Sequence, residues 1–208
     1  MLFRSQELGS QFSWDRNKLF SIDKIQSYHW SKTDPFGENS SLTCPVGIPA
    51  NLTVQYWFDK NDVNHHSNSH HCFTPRAGLV RFLSVLEGDD SKKSYKRLHR
   101  WRYSPTACYG NNEVHLHPYQ ARRISVAEAL AIQSLPPEFE LPAKMSLTDM
   151  FKSIGNGVPF LAAKGLATTI SEFLSGDFSE NRSIAINPSY HFQTPHLEIQ
   201  LSLLDLTR

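Results

Sequence analysis

The residues Gly155-Asn156-Gly157-Val158-Pro159 open directly onto an apolar-striped run at 160–173. Glycine permits positive φ and close approach of a ligand or another backbone. Asn156 can cap the helix that follows, whose first-turn N–H groups then face whatever lies there. The same five residues also suit a plain helix start. A second candidate is electrostatic. Lys92, Lys93, Lys96, Arg97, Arg100 and Arg102, with His99 among them and no acid, form a local positive field. Lys and Arg neutralise phosphates, Arg can read guanine edges, and small hydroxyls such as those of Ser104 and Thr106 contact backbone oxygens. The bland counterpart is a solvated charged face. A third group is His65, His66, His70, His71 and Cys72, with His115 and His117 after Cys108. No pair has Cys-x-x-Cys spacing, so no metal is expected and the histidines read as surface or DNA-facing.

Helices must position the first of these groups. Ser125 followed by Glu128 is a capping box, with Val126, Ala129, Leu130 and Gln133 then at helical spacing. Pro136 and Pro137 end that helix. Ser146 with Asp149 predicts a second helix, closed by Gly155. A third runs from about Val158, with Leu161, Ala162, Leu166, Thr169, Ile170 and Phe173 as its stripe. Upstream the chain is loop-rich. The β-branched and aromatic run at 52–58 predicts a strand, and 75–86 predicts a short helix with Leu79, Phe82, Leu83 and Leu86 inward. Near the end, Leu197, Ile199, Leu201 and Leu203 alternate with polar residues, the period of a half-buried strand.

The totals bound the class. The chain has 208 residues, is 39% hydrophobic and carries a net charge of +1, an ordinary globular composition. Its three cysteines have no framework spacing and point to a reduced, cytoplasmic setting. Residues 1–14 have no apolar run resembling a signal peptide, and no segment is apolar enough to span a membrane.

Two segments in this order carry a resemblance. Ile154-Gly155-Asn156-Gly157-Val158-Pro159 resembles the tenth motif of the C5-cytosine DNA methyltransferases, usually Gly-Asn-Ala-Val-Pro, with Gly157 in place of the commoner alanine. Arg123-Ile124-Ser125 through Glu128-Ala129 to Gln133 resembles the ninth. The resemblance implies that Asn156, Gly157 and Val158 line an S-adenosylmethionine pocket. It implies an architectural role for Arg123, Ser125, Glu128 and Gln133, which agrees with Glu128 as a capping partner. Lys96-Arg97-Leu98 with Ser104-Pro105-Thr106 is similar to the family's recognition region. That places Lys96, Arg97, Arg100, Arg102, Ser104 and Thr106 against double-stranded DNA. Asn64-His65 with His70 is similar to an Asn-His segment found further upstream in that region.

The family's catalytic parts have no counterpart here. The Phe-x-Gly-x-Gly cofactor turn is absent, and Cys44-Pro45 reverses the Pro-Cys order of the nucleophile. Glu38-Asn39-Ser40 matches two letters of Glu-Asn-Val but sits in a loop. The Gln-x-Arg-x-Arg of the eighth motif is missing. No catalytic residue is therefore assigned. The expected fold is α+β: a strand- and loop-rich recognition domain at 1–122, ninth- and tenth-motif helices at 123–176 and a tail at 177–208. The helices would pack on an α/β catalytic domain that this chain lacks. The expected function is recognition by the non-catalytic half of a split enzyme, inactive alone. A partner chain with the first eight motifs would share the S-adenosylmethionine. The alternatives are a C-terminal piece of a single-chain enzyme and a stand-alone DNA-binding module.

Overall fold

The computed structural model describes residues 27–37, 43–74, 79–107, 109 and 113–175. All belong to one compact unit, Lys24–Asp177. The expected strand at 197–203, Glu38-Asn39-Ser40, Cys108 and residues 75–78 lie outside the described residues. Among those described are a 3-10 turn at Ala50–Leu52 and five α-helices. These are α1 (Val54–Lys60), α2 (Leu79–Ser84), α3 (Val126–Ile132), α4 (Leu147–Asn156) and α5 (Phe160–Ser175). None is long and apolar enough to cross a membrane.

The run at 52–58 is helical, not a strand. Thr53 sits in extended conformation as N-cap and its side chain accepts from Tyr56 N at 3.4 Å. The next two orphan donors find carbonyls far along the chain: Val54 N donates to Arg102 O at 2.9 Å and Gln55 N to Arg100 O at 3.0 Å. Val54 and Phe58, four residues apart, are the buried side chains of α1. The β-branched and aromatic content of 52–58 had masked that spacing. The helix expected at 75–86 ends at Ser84; its Phe82 is buried as expected, but Leu83 and, beyond the helix, Leu86 are exposed.

The capping box of α3 forms as expected. Ser125 Oγ accepts Glu128 N at 3.2 Å and Glu128 Oε2 accepts Ser125 N at 2.7 Å. Every residue from Val126 to Ala131 is buried, so α3 is enclosed on all sides by its neighbours. It packs against α1 and α4. The core joins Val54, Phe58, Leu98, Ile124, Leu130 and Phe151, residues from both sides of position 122. Beside it runs a three-segment ladder centred on Leu116, bridged in parallel to Arg97 and antiparallel to Arg123. Leu98 N donates to Leu116 O at 3.1 Å, and Ile124 N to His115 O at 3.0 Å. This ladder places the basic segment next to the start of α3.

Candidate functional site

The junction at the start of α3 is a closed ion network. Arg122 grips the Glu128 carboxylate with both terminal nitrogens, at 2.9 and 2.6 Å. His117 Nε2 approaches the same carboxylate at 3.5 Å, while its Nδ1 accepts Gln120 N at 3.1 Å. That acceptor role puts the proton on Nε2. Burial, then the nearby Arg122, Arg97 and Arg100, hold the His117 pKa well below its ordinary value, so the ring is neutral. Glu128 is buried and engaged by a backbone N–H, an arginine and a histidine. It shapes the helix start as the capping partner of Ser125. Arg123 is buried, its guanidinium 5.3 Å from the Tyr95 ring centre.

The end of α3 is the hinge of the Gly155–Pro159 region. Gln133 is the C-cap, and Ser134 follows with φ +55°. Ser134 N donates to Ala131 O at 2.8 Å and Leu135 N to Leu130 O at 3.2 Å, a Schellman closure with serine at the left-handed position. Gln133 Nε2 donates to Ile154 O at 3.3 Å, near the end of α4. Its backbone oxygen accepts Phe160 N at 2.8 Å, and Ser134 Oγ accepts Leu161 N at 3.1 Å. Two consecutive residues thus satisfy the first orphan donors of α5 and one carbonyl of α4. Asn156 does not cap α5; it is the last residue of α4, and Gly157 is the C-cap. Helix α4 therefore runs past Gly155 rather than closing there.

The two glycines differ in purpose. A Cβ on Gly155 would lie 2.8 Å from Tyr109 N, so this glycine lets α4 press against the backbone at Tyr109. A Cβ on Gly157 would lie 3.2 Å from Ile154 O, a tight but yielding fit. Asn156, Gly157 and Val158 are exposed. Gly157 and Val158 border a largely apolar cavity of about 210 Å³, with Leu130, Leu135, Phe139 and Ile154 among its walls. The loop forming one wall is pinned by two buried asparagines. Asn61 Nδ2 donates to Leu135 O at 2.9 Å, and Asn68 pairs with Leu141 through Nδ2 to O at 3.0 Å and N to Oδ1 at 2.8 Å. Among the described residues no cluster of His, Cys, Asp or Glu is arranged to hold a metal ion.

The basic segment divides into inward and outward residues. Arg97 is 0% exposed. Its guanidinium donates to Val85 O at 2.9 Å, His117 O at 2.5 Å and Gln120 O at 3.2 Å, and also to Phe82 O. It therefore ties the C-terminal carbonyls of α2 to the 117–120 turn. Arg100 is buried and bidentate on Glu87, with Nε to Oε1 and Nη2 to Oε2 both at 2.9 Å. A DNA contact needs an accessible guanidinium, and neither arginine offers one. Arg102, Ser104 and Lys96 are partly exposed and Thr106 is exposed. Arg102 Nη1 donates to Gly88 O at 3.3 Å, with Asp90 at 3.9 Å. Glu87 had no sequence signal, because it follows an apolar run with nothing to announce a buried partner.

Helix α5 leaves its apolar residues uncovered. Leu166 is 63% and Leu174 78% exposed, with Leu161 and Ile170 also exposed. Its first turn is held by Gln133 and Ser134; the stripe beyond faces no other described element.

Known proteins are similar to this chain in sequence. The chain is 55% identical over 183 residues to the type II methyltransferase M.NmeDI of Neisseria meningitidis serogroup C, covering 87% of this chain and 43% of that protein. It is 30% identical over 91 residues to the type II methyltransferase M.AquIB of Picosynechococcus, covering 39% of this chain and 65% of that one. A putative type II methyltransferase of Oceanobacillus iheyensis, M.OihORF3336P, is 44% identical over 62 residues, 30% of this chain and 13% of that protein. The chain thus spans less than half of the meningococcal relative. No solved structure matches it significantly. The profile of the family described as C-5 cytosine-specific DNA methylase matches residues 22–172, and with its ninth- and tenth-motif segments joined through Gln133 the chain belongs to that family.

Proposed function

We propose that this chain is the DNA-recognition and cofactor-pocket-completing part of a C5-cytosine DNA methyltransferase of a restriction-modification system. It acts with a separate polypeptide that carries the first eight motifs. The observation that carries the reading is the exposed apolar stripe of α5. A helix with this much uncovered apolar surface is a packing face awaiting a partner. A stand-alone binding module would present a polar face there. The alternative of a C-terminal piece of one long chain draws on the meningococcal relative, of which this chain covers 43%. The split arrangement draws on the Picosynechococcus relative, 65% of which is aligned by only 91 residues.

The residues at the tenth motif fit part of a cofactor site. The cavity beside Gly157 and Val158 is apolar, which suits one face of a flat heterocycle. At about 210 Å³ it is smaller than the ~300–1,000 Å³ of complete ligand sites, so the remaining walls come from the partner. When bound, S-adenosylmethionine supplies the methyl group transferred to C5 of a flipped cytosine. This chain's share is positional. Gln133 and Ser134 fix the Gly155–Pro159 turn against α3, and α3 is fixed to the recognition ladder through Arg122 and Glu128. Double-stranded DNA is held by the outward residues Lys96, Arg102, Ser104 and Thr106. Arg97 and Arg100 hold the segment that presents them.

The test is methyl transfer from labelled S-adenosylmethionine to mixed-sequence DNA. The chain alone is compared with the chain plus a polypeptide carrying the first eight motifs. Activity only in the mixture is expected. Activity of the chain alone overturns the reading, and DNA binding with no activity in either favours the binding module.

A further inference from the structure

Tyr103 stands out on the recognition segment. It is 52% exposed, yet its ring is held in place. Trp30 packs on it edge to face at 5.2 Å between ring centres, and Tyr28 packs edgewise on Trp30 at 5.8 Å. The Arg102 guanidinium lies 5.7 Å from the Tyr103 ring centre. The aromatic brace is anchored rather than loose. Asp34 and Glu87 exchange backbone hydrogen bonds at 3.0 and 2.8 Å, and His99 Nε2 bonds Asp34 Oδ2 at 3.0 Å. Gly88 has φ +83°, and a Cβ there would meet Lys32 O at 2.9 Å, so the 28–34 segment lies close along the basic one.

The charge around this ring is incompletely answered. The buried Nε of Arg102 has no acceptor, and its nearest carboxylate, Asp90, stands at 3.9 Å. From 91 to 112 the sequence has no acid. A rigid, half-open aromatic beside an under-neutralised arginine is the side-chain pair that dominates interface energetics. Tyrosine loses little entropy on contact, because it has two side-chain torsions and these are already fixed here. The exposed Lys92 and the partly exposed Lys96 and Arg102 on the same segment suit the phosphates of a duplex, the occupant that the DNA-recognition reading names.

We infer that Tyr103, braced by Trp30 and flanked by Arg102, is an affinity anchor on the DNA surface, an inference that rests on the DNA-recognition reading above. Its contact is made through the ring and is not ionic. Truncating it therefore lowers affinity without changing the number of counterions released.

The experiment measures binding of the full chain to a labelled mixed-sequence duplex, alone and with a polypeptide carrying the first eight motifs. Salt is varied between about 50 and 200 mM. Tyr103→Ala is expected to bind about tenfold more weakly with an unchanged salt slope. Arg102→Ala is expected to flatten that slope by about one. Tyr103→Gln serves as a second truncation, and thermal unfolding confirms that each variant is folded. Wild-type affinity in folded Tyr103→Ala and Tyr103→Gln overturns the inference while leaving DNA recognition standing. No binding by the unaltered chain in either setting overturns the recognition reading, and the inference with it.

Discussion

Ser134 accepts the backbone N–H of Leu161 through its hydroxyl at 3.1 Å while holding φ +55°. Glycine is the usual residue at such a helix end, since a side chain there costs roughly 1 kcal/mol. Serine supplies what glycine cannot, a cap for the first turn of α5. A capping hydroxyl is worth about 1 kcal/mol. Ser134→Gly gains the first quantity and loses the second, so its stability should match the wild type within about 0.5 kcal/mol. Ser134→Ala keeps the strain and loses the cap, and should be about 1 kcal/mol less stable. Urea unfolding of both variants decides this; a Ser134→Ala midpoint equal to that of the wild type would remove the cap from the account.

Gly155 and Gly157 are two residues apart and should respond unequally to the same substitution. A methyl on Gly155 meets the Tyr109 backbone at 2.8 Å, and neither α4 nor the segment at Tyr109 can retreat without disturbing the core contact of Tyr109 with Phe151. Gly155→Ala should cost about 2–3 kcal/mol. At Gly157 the nearest atom is 3.2 Å away and φ is −73°, ordinary for alanine. Gly157→Ala should cost less than about 1 kcal/mol. Thermal unfolding of the pair checks the order, and a greater loss at Gly157 would contradict the close-approach account of Gly155.

The parts of this architecture that are local in sequence were legible from it. The Ser125–Glu128 box and the Ser146 cap join residues three apart, so spacing alone shows them. The helix at 54–60 was not, because its first donors are satisfied by Arg100 O and Arg102 O, carbonyls that every residue has and no pattern marks. The same reason hid the burial of Arg97, whose hydrogen-bond acceptors are all main-chain oxygens. A basic run reads as a surface because charge seldom goes inside; here Arg97, His99 and Arg100 turn in to hold the fold. Gln133 was legible as part of a motif, but its reach to Ile154 was not.

Arg97 and Lys96 are neighbours that should separate stability from DNA affinity. Arg97→Met removes the donor and leaves four carbonyls partly unsatisfied in a buried place. It should cost about 3 kcal/mol or more. Lys96→Ala should leave stability within about 0.5 kcal/mol and weaken DNA binding with a shallower salt slope. Parallel unfolding and binding measurements on the two variants check this. A stable Arg97→Met that binds DNA poorly would return Arg97 to the DNA surface.

His115 should make the fold acid-sensitive. It is buried against Tyr109, whose hydroxyl lies 3.4 Å from Nδ1. Burial, with Lys96 adding to it, lowers its pKa to about 4, from about 6.5. The unfolded chain then binds a proton at higher pH than the folded one, so stability rises with pH across that interval. The contribution is fully present above about 6.5 and is lost as pH falls through about 4. At about 1.4 kcal/mol per unit, the shift amounts to roughly 3 kcal/mol. His117, also held neutral by burial, acts in the same direction. His115→Gln keeps a polar side chain of similar reach and removes the titration. Its unfolding free energy should therefore fall less steeply between pH 6.5 and 4 than that of the wild type. Parallel slopes for the two proteins would mean that His115 is not the group that carries the acid response.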